Sequence, residues 1–371
     1  MTASERRLDS EINELLIKPP FILKDHEKNQ ILFDILKIQL KNAVENNIHI
    51  KCMVSKQGIE IESITKIEDI PYIPVQMFKY FDLSTCENDT IVKMLRSSGT
   101  TSDSASRVPL NKKTVLNQMK SLKQILSDYL GNKRKVFLVI DHEGINNSVS
   151  EFTARTAGVR GLSIYAKGTY YLLKEENGKL ILNEPVIQEV IEKYSGEDVY
   201  AFGFTYIIWS VFYKQIIETD IRFNFNDFAL FHSGGWKKLK DEKVSKEFFS
   251  ESMSSVFNTD RRKILDFYGM AEQTGIIFVD CECGNKHVPN VSQVIIRNPY
   301  SLQPSPIGET GMIEILSILS DSYYSQAVLT EDLGYVVGVD DCPCGRKGTY
   351  FRFASRIEKA EIRGCGDTFK E

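Results

Sequence analysis

The stretch TIVKMLRSSGTTSDS, residues Thr90 to Ser104, begins with a mostly apolar run and continues into a loop rich in Ser, Thr and Gly. Thr90 to Leu95 predicts a short strand, Asn111 to Tyr129 a helix, and Lys135 to Ile140 (KVFLVI) a buried strand. Further along, Asp198 to Gly203 and Phe228 to His232 predict strands, each followed by Gly or Thr and a helix. Strand, loop and helix in alternation mean an α/β sheet whose site lies at the strand ends.

Upstream, spaced apolar positions (Ile12, Leu15, Leu16, then Ile31, Leu32, Ile35, Leu36, Ile38, Leu40) predict amphipathic helices within residues 10–48. Ile70-Pro71-Tyr72-Ile73-Pro74 reads as an extended connector, because each proline drives its predecessor out of the helical region. The apolar run Ala201 to Tyr213 (AFGFTYIIWSVFY) is too short for a membrane span and reads as a buried helix. Beyond residue 277 the texture turns to β, in VPNVSQVIIRN, GETGMIEILSI, LGYVVGVDD and GTYFRFASRI. The expected division is a helical segment at 1–86, an α/β nucleotide-binding core at 87–276 and a β-rich part at 277–371.

At 371 residues the chain can bury a sizeable core. A net charge of −4, with acidic and basic residues interspersed, does not fit a generic nucleic-acid binder. The polar N-terminus MTASERRLDSEINELL lacks a signal-peptide apolar region, so the expected setting is the cytoplasm, with no membrane span and no nucleic-acid partner.

A Ser/Thr/Gly loop after a strand suits phosphate: glycine lets the backbone approach, N–H groups point inward, and hydroxyls add donors without bulk. Alone it is also what an ordinary turn looks like. The P-loop pattern G-x-x-x-x-G-K-[ST] does not occur. What singles the loop out is the order of the segments that follow: HSGGWK (His232–Lys237), FYGMAEQTG (Phe267–Gly275), TEDLG (Thr330–Gly334) and SRIEKAEIRG (Ser355–Gly364). This order resembles the core motifs of the acyl-adenylate-forming superfamily, which includes acyl-CoA ligases and nonribosomal adenylation domains. The fold implied is the N-terminal-type domain of those enzymes, stacked β-sheets flanked by helices, with a β-rich C-terminal part.

The resemblance implies an ATP- and Mg2+-dependent ligase. Ser97, Ser98, Gly99, Thr100, Thr101 and Ser102 would wrap the β- and γ-phosphates, with Thr100 also among the catalytic groups. Gly234, Gly235 and Trp236 would line the adenine and acyl region. Tyr268, followed by Gly269, would stack on adenine. Glu272 would ligate Mg2+, Asp332 would accept from the ribose hydroxyls, and Arg356 would lie against ribose or phosphate. Taken singly, Tyr268 also reads as a packed ring, Glu272 as a helix N-terminal residue and Asp332 as a turn cap. The chain departs from the superfamily where a Gly and a Pro-Lys usually close the loop: Ser102 holds the Gly place, no Pro-Lys follows, and Arg107 or Lys112 are the available stand-ins.

Within the superfamily the chain looks most like the acyl-protein synthetases of the bacterial bioluminescence fatty-acid reductase system. The matching features are the Ile70-Pro71…Pro74…Phe78-Lys79 entry, the phosphate loop without Pro-Lys, Gly234-Gly235-Trp236-Lys237, and Arg363-Gly364-Cys365 near the end. Only Gly366 to Glu371 follow Cys365, so the swinging C-terminal domain of ordinary acyl-CoA ligases is not expected. The resemblance implies that acyl-AMP passes its acyl group to Cys365 as a thioester, for delivery to an acyl-accepting reductase. Arg363 would lower the thiol pKa. A spare thiol on a chain terminus is the plainer reading of the same residue.

Cys281-Glu-Cys283-Gly and Cys342-Pro-Cys344-Gly are two C-x-C-G units, and together they offer a four-thiolate structural zinc site, with His287 as a substitute ligand. The element CPCGR before Arg356 is similar to the phenylacetate-CoA ligase and coenzyme F390 synthetase branch. Two further readings follow: a ligase that hands its adenylate to CoA, a carrier protein or an acyltransferase, and a non-catalytic zinc-stabilised scaffold that binds a nucleotide or a partner.

Overall fold

The computed structural model describes residues 3–96, 106–146, 154–236 and 242–357. The chain forms two compact units, each drawn from several segments.

The first unit comprises Met1–Asp128, Gly269–Phe278 and Asn285–Glu361. Its helices Ala3–Ile17 and Asp25–Asn46 match the apolar spacing, and Leu32, Ile35, Leu36, Leu40 and Ala43 form the buried face of the second. Asn47 separates that helix from Ile48–Lys56 and caps the latter, its side-chain oxygen accepting from His49 N and Ile50 N at 3.0 and 3.2 Å. A mainly antiparallel sheet runs Lys286–His287, Thr349–Arg356, Ala327–Val339, Gly311–Ser317, Ser292–Arg297. The Ile73–Pro74 connector is extended and pairs in parallel with Val328 and Leu329. Proline lacks an N–H donor, and edge pairing of this kind tolerates it.

Within this sheet Glu314 is fully buried and its Oε2 accepts from Arg297 Nε. Arg297 also donates to Glu68 O at 2.7 Å and Leu302 O at 3.0 Å, with its guanidinium over the Tyr72 ring. Burial outweighs the attraction of Arg297 and pushes the Glu314 carboxyl up to about 7. The folded form therefore holds a proton that the unfolded chain has already released. This contribution to stability is complete below the ordinary carboxyl range and is lost as pH rises towards 7. Between pH 5 and 7.5 the wild type should lose about 2 kcal/mol relative to Glu314→Gln, which cannot titrate. Chemical-denaturation curves at several pH values check this, and parallel pH profiles for the two proteins would refute it.

The second unit comprises Tyr129–Tyr268, Val279–Gly284 and Ile362–Glu371. Its strands are parallel, in the order Ile264–Tyr268, Asp227–Ser233, Asp198–Phe204, Lys135–Val139, Ala166–Tyr171. Lys135–Val139 is buried at every position, as expected of a parallel strand covered on both faces. Chain order reverses between Lys135–Val139 and Asp198–Phe204, and the carboxyl ends of strands at such a switch form a crevice. A hairpin of Leu173–Glu176 and Lys179–Leu182 turns at Asn177-Gly178, both with positive φ.

The run Ala201 to Tyr213 is not one helix. Ala201 to Phe204 complete a strand, and helix begins only at Thr205, passing through a π-helical stretch at Ile208–Tyr213. A fully buried parallel strand and a buried helix show the same unbroken apolar pattern, so hydropathy alone merges them.

Candidate functional site

In the first unit the segment Gly269–Phe278 carries the sequence MAEQTG as a three-residue 3-10 turn, Ala271–Gln273. Glu272 is buried, and its main-chain carbonyl accepts from Tyr323 Oη at 3.0 Å. The neighbouring Gln273 side chain donates to Ser325 O at 2.6 Å. Both contacts run to the segment Tyr323–Ser325, which tethers the backbone of the turn. Gly275 follows at φ +90°, and a Cβ there would meet Gln118 Cα at 2.5 Å. Only glycine combines that backbone conformation with that approach to the helix Lys112–Leu130.

Asp332 and Arg356 are opposed on paired strands, and Arg356 Nε donates to Asp332 Oδ1 at 3.0 Å. Asp332 N donates to Thr330 Oγ1, whose hydroxyl donates to Ile313 O at 2.7 Å, so the TED segment is anchored to the next strand. Two residues expected to contact ribose or phosphate thus contact each other. The pair presents a carboxylate acceptor and a cation side by side, a set that suits a diol next to a phosphate.

Ser97 to Ser102, including Thr100, lie outside the described residues. The strands that bracket them, Ile91–Arg96 and Arg107–Asn111, form an antiparallel pair with Arg96 opposite Arg107. Asn111 then caps the following helix, its side chain accepting from Thr114 N at 2.8 Å. Cys365 and Arg363 also lie outside the described residues.

In the second unit Gly234, Gly235 and Trp236 leave the end of strand Asp227–Ser233. Gly234 has φ +87°, and a Cβ on it would meet Phe204 Cδ1 at 2.8 Å, so the turn requires glycine. Trp236 packs edge-to-face on Trp209 at 6.1 Å, and Trp209 stacks on Tyr213 at 4.5 Å, both in the π-helical stretch. Tyr268 closes the strand Ile264–Tyr268 and is half-buried, as is Gly269 after it. His232, quoted in the HSGGWK segment but given no role by the sequence, is buried. Its Nδ1 lies 3.0 Å from Thr205 Oγ1, and that hydroxyl donates to Ser233 O. The hydroxyl therefore accepts from Nδ1–H.

The cysteine units fall in different segments. In the first unit His287, Cys342 and Cys344 bring their ligand atoms within 4.8 Å of one another. His287 Nε2 and Cys344 Sγ are 3.3 Å apart, and Asn285 Nδ2 donates to Cys342 Sγ at 3.7 Å. Cys281 and Cys283 belong to the Val279–Gly284 segment of the second unit, in a turn closed by Gly284 N to Cys281 O at 2.8 Å. Cys281 is buried and Cys283 more exposed. Among the described residues no helix is long and apolar enough to cross a membrane.

The family model described as acyl-protein synthetase, LuxE, matches residues 1–371. A long-chain-fatty-acid–luciferin-component ligase of Vibrio harveyi is 24% identical over 348 residues, spanning 91% of this chain and 87% of that protein. One of the same name from Aliivibrio fischeri is 23% identical over 309 residues, spanning 82% and 79%. Among solved structures, 2-hydroxyisobutyryl-CoA ligase in complex with 2-HIB-AMP and CoA matches with TM-score 0.69 at 14% identity, over 92% of this chain and 70% of that one. An open conformation of the same ligase matches at TM-score 0.67, 13% identity, 92% and 77% coverage. At such identities the likeness is one of fold, that of the N-terminal-type domain of adenylate-forming ligases.

Proposed function

This chain belongs to the acyl-protein synthetase (LuxE) family of ligases, and from that premise we propose that it activates a long-chain fatty acid with ATP and moves the acyl group to its own Cys365. A carboxylate oxygen of the acid attacks the α-phosphorus of ATP, and pyrophosphate leaves. The Cys365 thiolate then attacks the acyl carbonyl, forming the thioester and releasing AMP. The thioester is handed on to a partner reductase; the curated relatives are named as ligases of a long-chain fatty acid to a luciferin component.

The observation that carries this reading is the Asp332–Arg356 pair, with its anchored carboxylate and adjacent guanidinium. Asp332 accepts from the ribose hydroxyls and Arg356 turns its remaining donors to ribose or phosphate. Ser97, Ser98, Gly99, Thr100, Thr101 and Ser102 cradle the β- and γ-phosphates. Tyr268 and Gly269, with Gly234, Gly235 and Trp236, line the adenine and the acyl entry. Glu272, a buried carboxylate on a fixed turn, is a hard oxygen donor of the kind Mg2+ takes, and that ion would neutralise charge on the departing pyrophosphate. A structural Zn2+ at the cysteine units completes the cofactors, and the compartment is the cytoplasm.

Exchange of labelled pyrophosphate into ATP tests the first half-reaction. Exchange should depend on a long-chain fatty acid and cease when Mg2+ is chelated. No exchange with fatty acids of any chain length, from folded protein, would leave the binding-scaffold reading in its place. Label moving from the acid to CoA rather than to the protein would replace Cys365 with CoA as acceptor.

A further inference from the structure

We propose that the first unit holds a mixed thiolate–imidazole zinc site built on His287, Cys342 and Cys344. Tetrahedral zinc, with bonds of about 2.0–2.3 Å to nitrogen and sulfur, spaces its ligand atoms roughly 3.3–3.8 Å apart. The 3.3 Å between His287 Nε2 and Cys344 Sγ lies in that range. All three ligand atoms lie within 4.8 Å of one another.

The surroundings are those of a prepared ligand set. The loop between strands Ala327–Val339 and Thr349–Arg356 carries both cysteines, and its turn closes with Gly345 N donating to Cys342 O at 3.0 Å, with Gly345 at φ +88°. Asn285 Nδ2 donates to Cys342 Sγ, while its Oδ1 accepts from Arg352 Nε at 2.9 Å, so the donor to sulfur is itself oriented. His287 is fully buried on strand Lys286–His287, stacked on Tyr350 at 5.3 Å and edge-on to Phe21 at 5.9 Å. The root of the loop is held without metal: Asp340, at φ +62°, accepts from Gly348 N at 2.7 Å and from Asp25 N at 3.1 Å.

The three ligands tie strand Lys286–His287 to the loop between Ala327–Val339 and Thr349–Arg356, so the ion acts as a staple there. Binding releases the protons of Cys342 and Cys344 as the metal–ligand bonds form.

Metal analysis and cobalt substitution of the full chain test this, and neither depends on acyl activation. About one zinc per chain is expected in the wild type, falling below about a fifth in His287→Ala, Cys342→Ser and Cys344→Ser. The wild-type cobalt spectrum, which needs no variant to fold, should show thiolate charge-transfer bands together with imidazole ligation. Less than half an equivalent of zinc in wild type, zinc retained by His287→Ala, or a four-thiolate cobalt spectrum would each overturn the assignment.

Discussion

Cys365→Ala should abolish covalent retention of a labelled fatty acid, by a hundredfold or more, while fatty-acid-dependent pyrophosphate exchange stays within about twofold of wild type. The reason is chemical: a methyl group cannot form a thioester, whereas formation of acyl-AMP makes no use of the thiol. In the wild type the label should resist denaturation and be released by neutral hydroxylamine. Cys365→Ser serves as a second variant, because an acyl ester on the weaker nucleophile would form slowly and resist hydroxylamine better. Undiminished, hydroxylamine-sensitive label on Cys365→Ala would move the acceptor role to another group.

Glu272→Gln should slow adenylation by about ten- to a hundredfold, the cost typical of removing one charge-stabilising group from a closed site. Glutamine has the same shape, and the contact from Tyr323 reaches the main chain of residue 272 rather than its side chain. Melting temperature should therefore move little, and the loss should appear in the rate of exchange and in a raised Mg2+ requirement. Glu272→Asp, which keeps the charge but withdraws it, should recover part of the rate. Turnover equal to wild type in Glu272→Gln would mean that FYGMAEQTG carries no metal ligand.

Much of the secondary structure could be read from the sequence because its periods are local. The helix expected at Asn111 to Tyr129 is Lys112–Leu130, and the strand expected at Lys135 to Ile140 is Lys135–Val139. Where local pattern is ambiguous the reading failed, as at Ala201 to Tyr213, where strand and helix share one apolar run. The order of the segments from Ser97 to Arg356 was legible and carried the family resemblance. Which of those residues touch was not, since Asp332 meets Arg356 only through strand register. The cysteine units illustrate the same limit. Sequence offers four sulfurs and one imidazole, and only the pairing of Lys286–His287 with Thr349–Arg356 brings His287 to Cys344. The buried Arg297–Glu314 pair had no sequence signal, because each is an ordinary charged residue until the hairpin closes.

The contact between Gly275 and Gln118 leaves no room for one further carbon atom. The turn bearing Glu272 and the helix Lys112–Leu130 are therefore not free to diverge independently. A substitution on one side has to be matched on the other, so effects of paired changes there should depart from the sum of the single ones. Over evolutionary time such a junction couples the histories of two segments that lie about 150 residues apart in the chain. A designer who wishes to re-aim the carboxylate inherits the same constraint and must recut the helix with it.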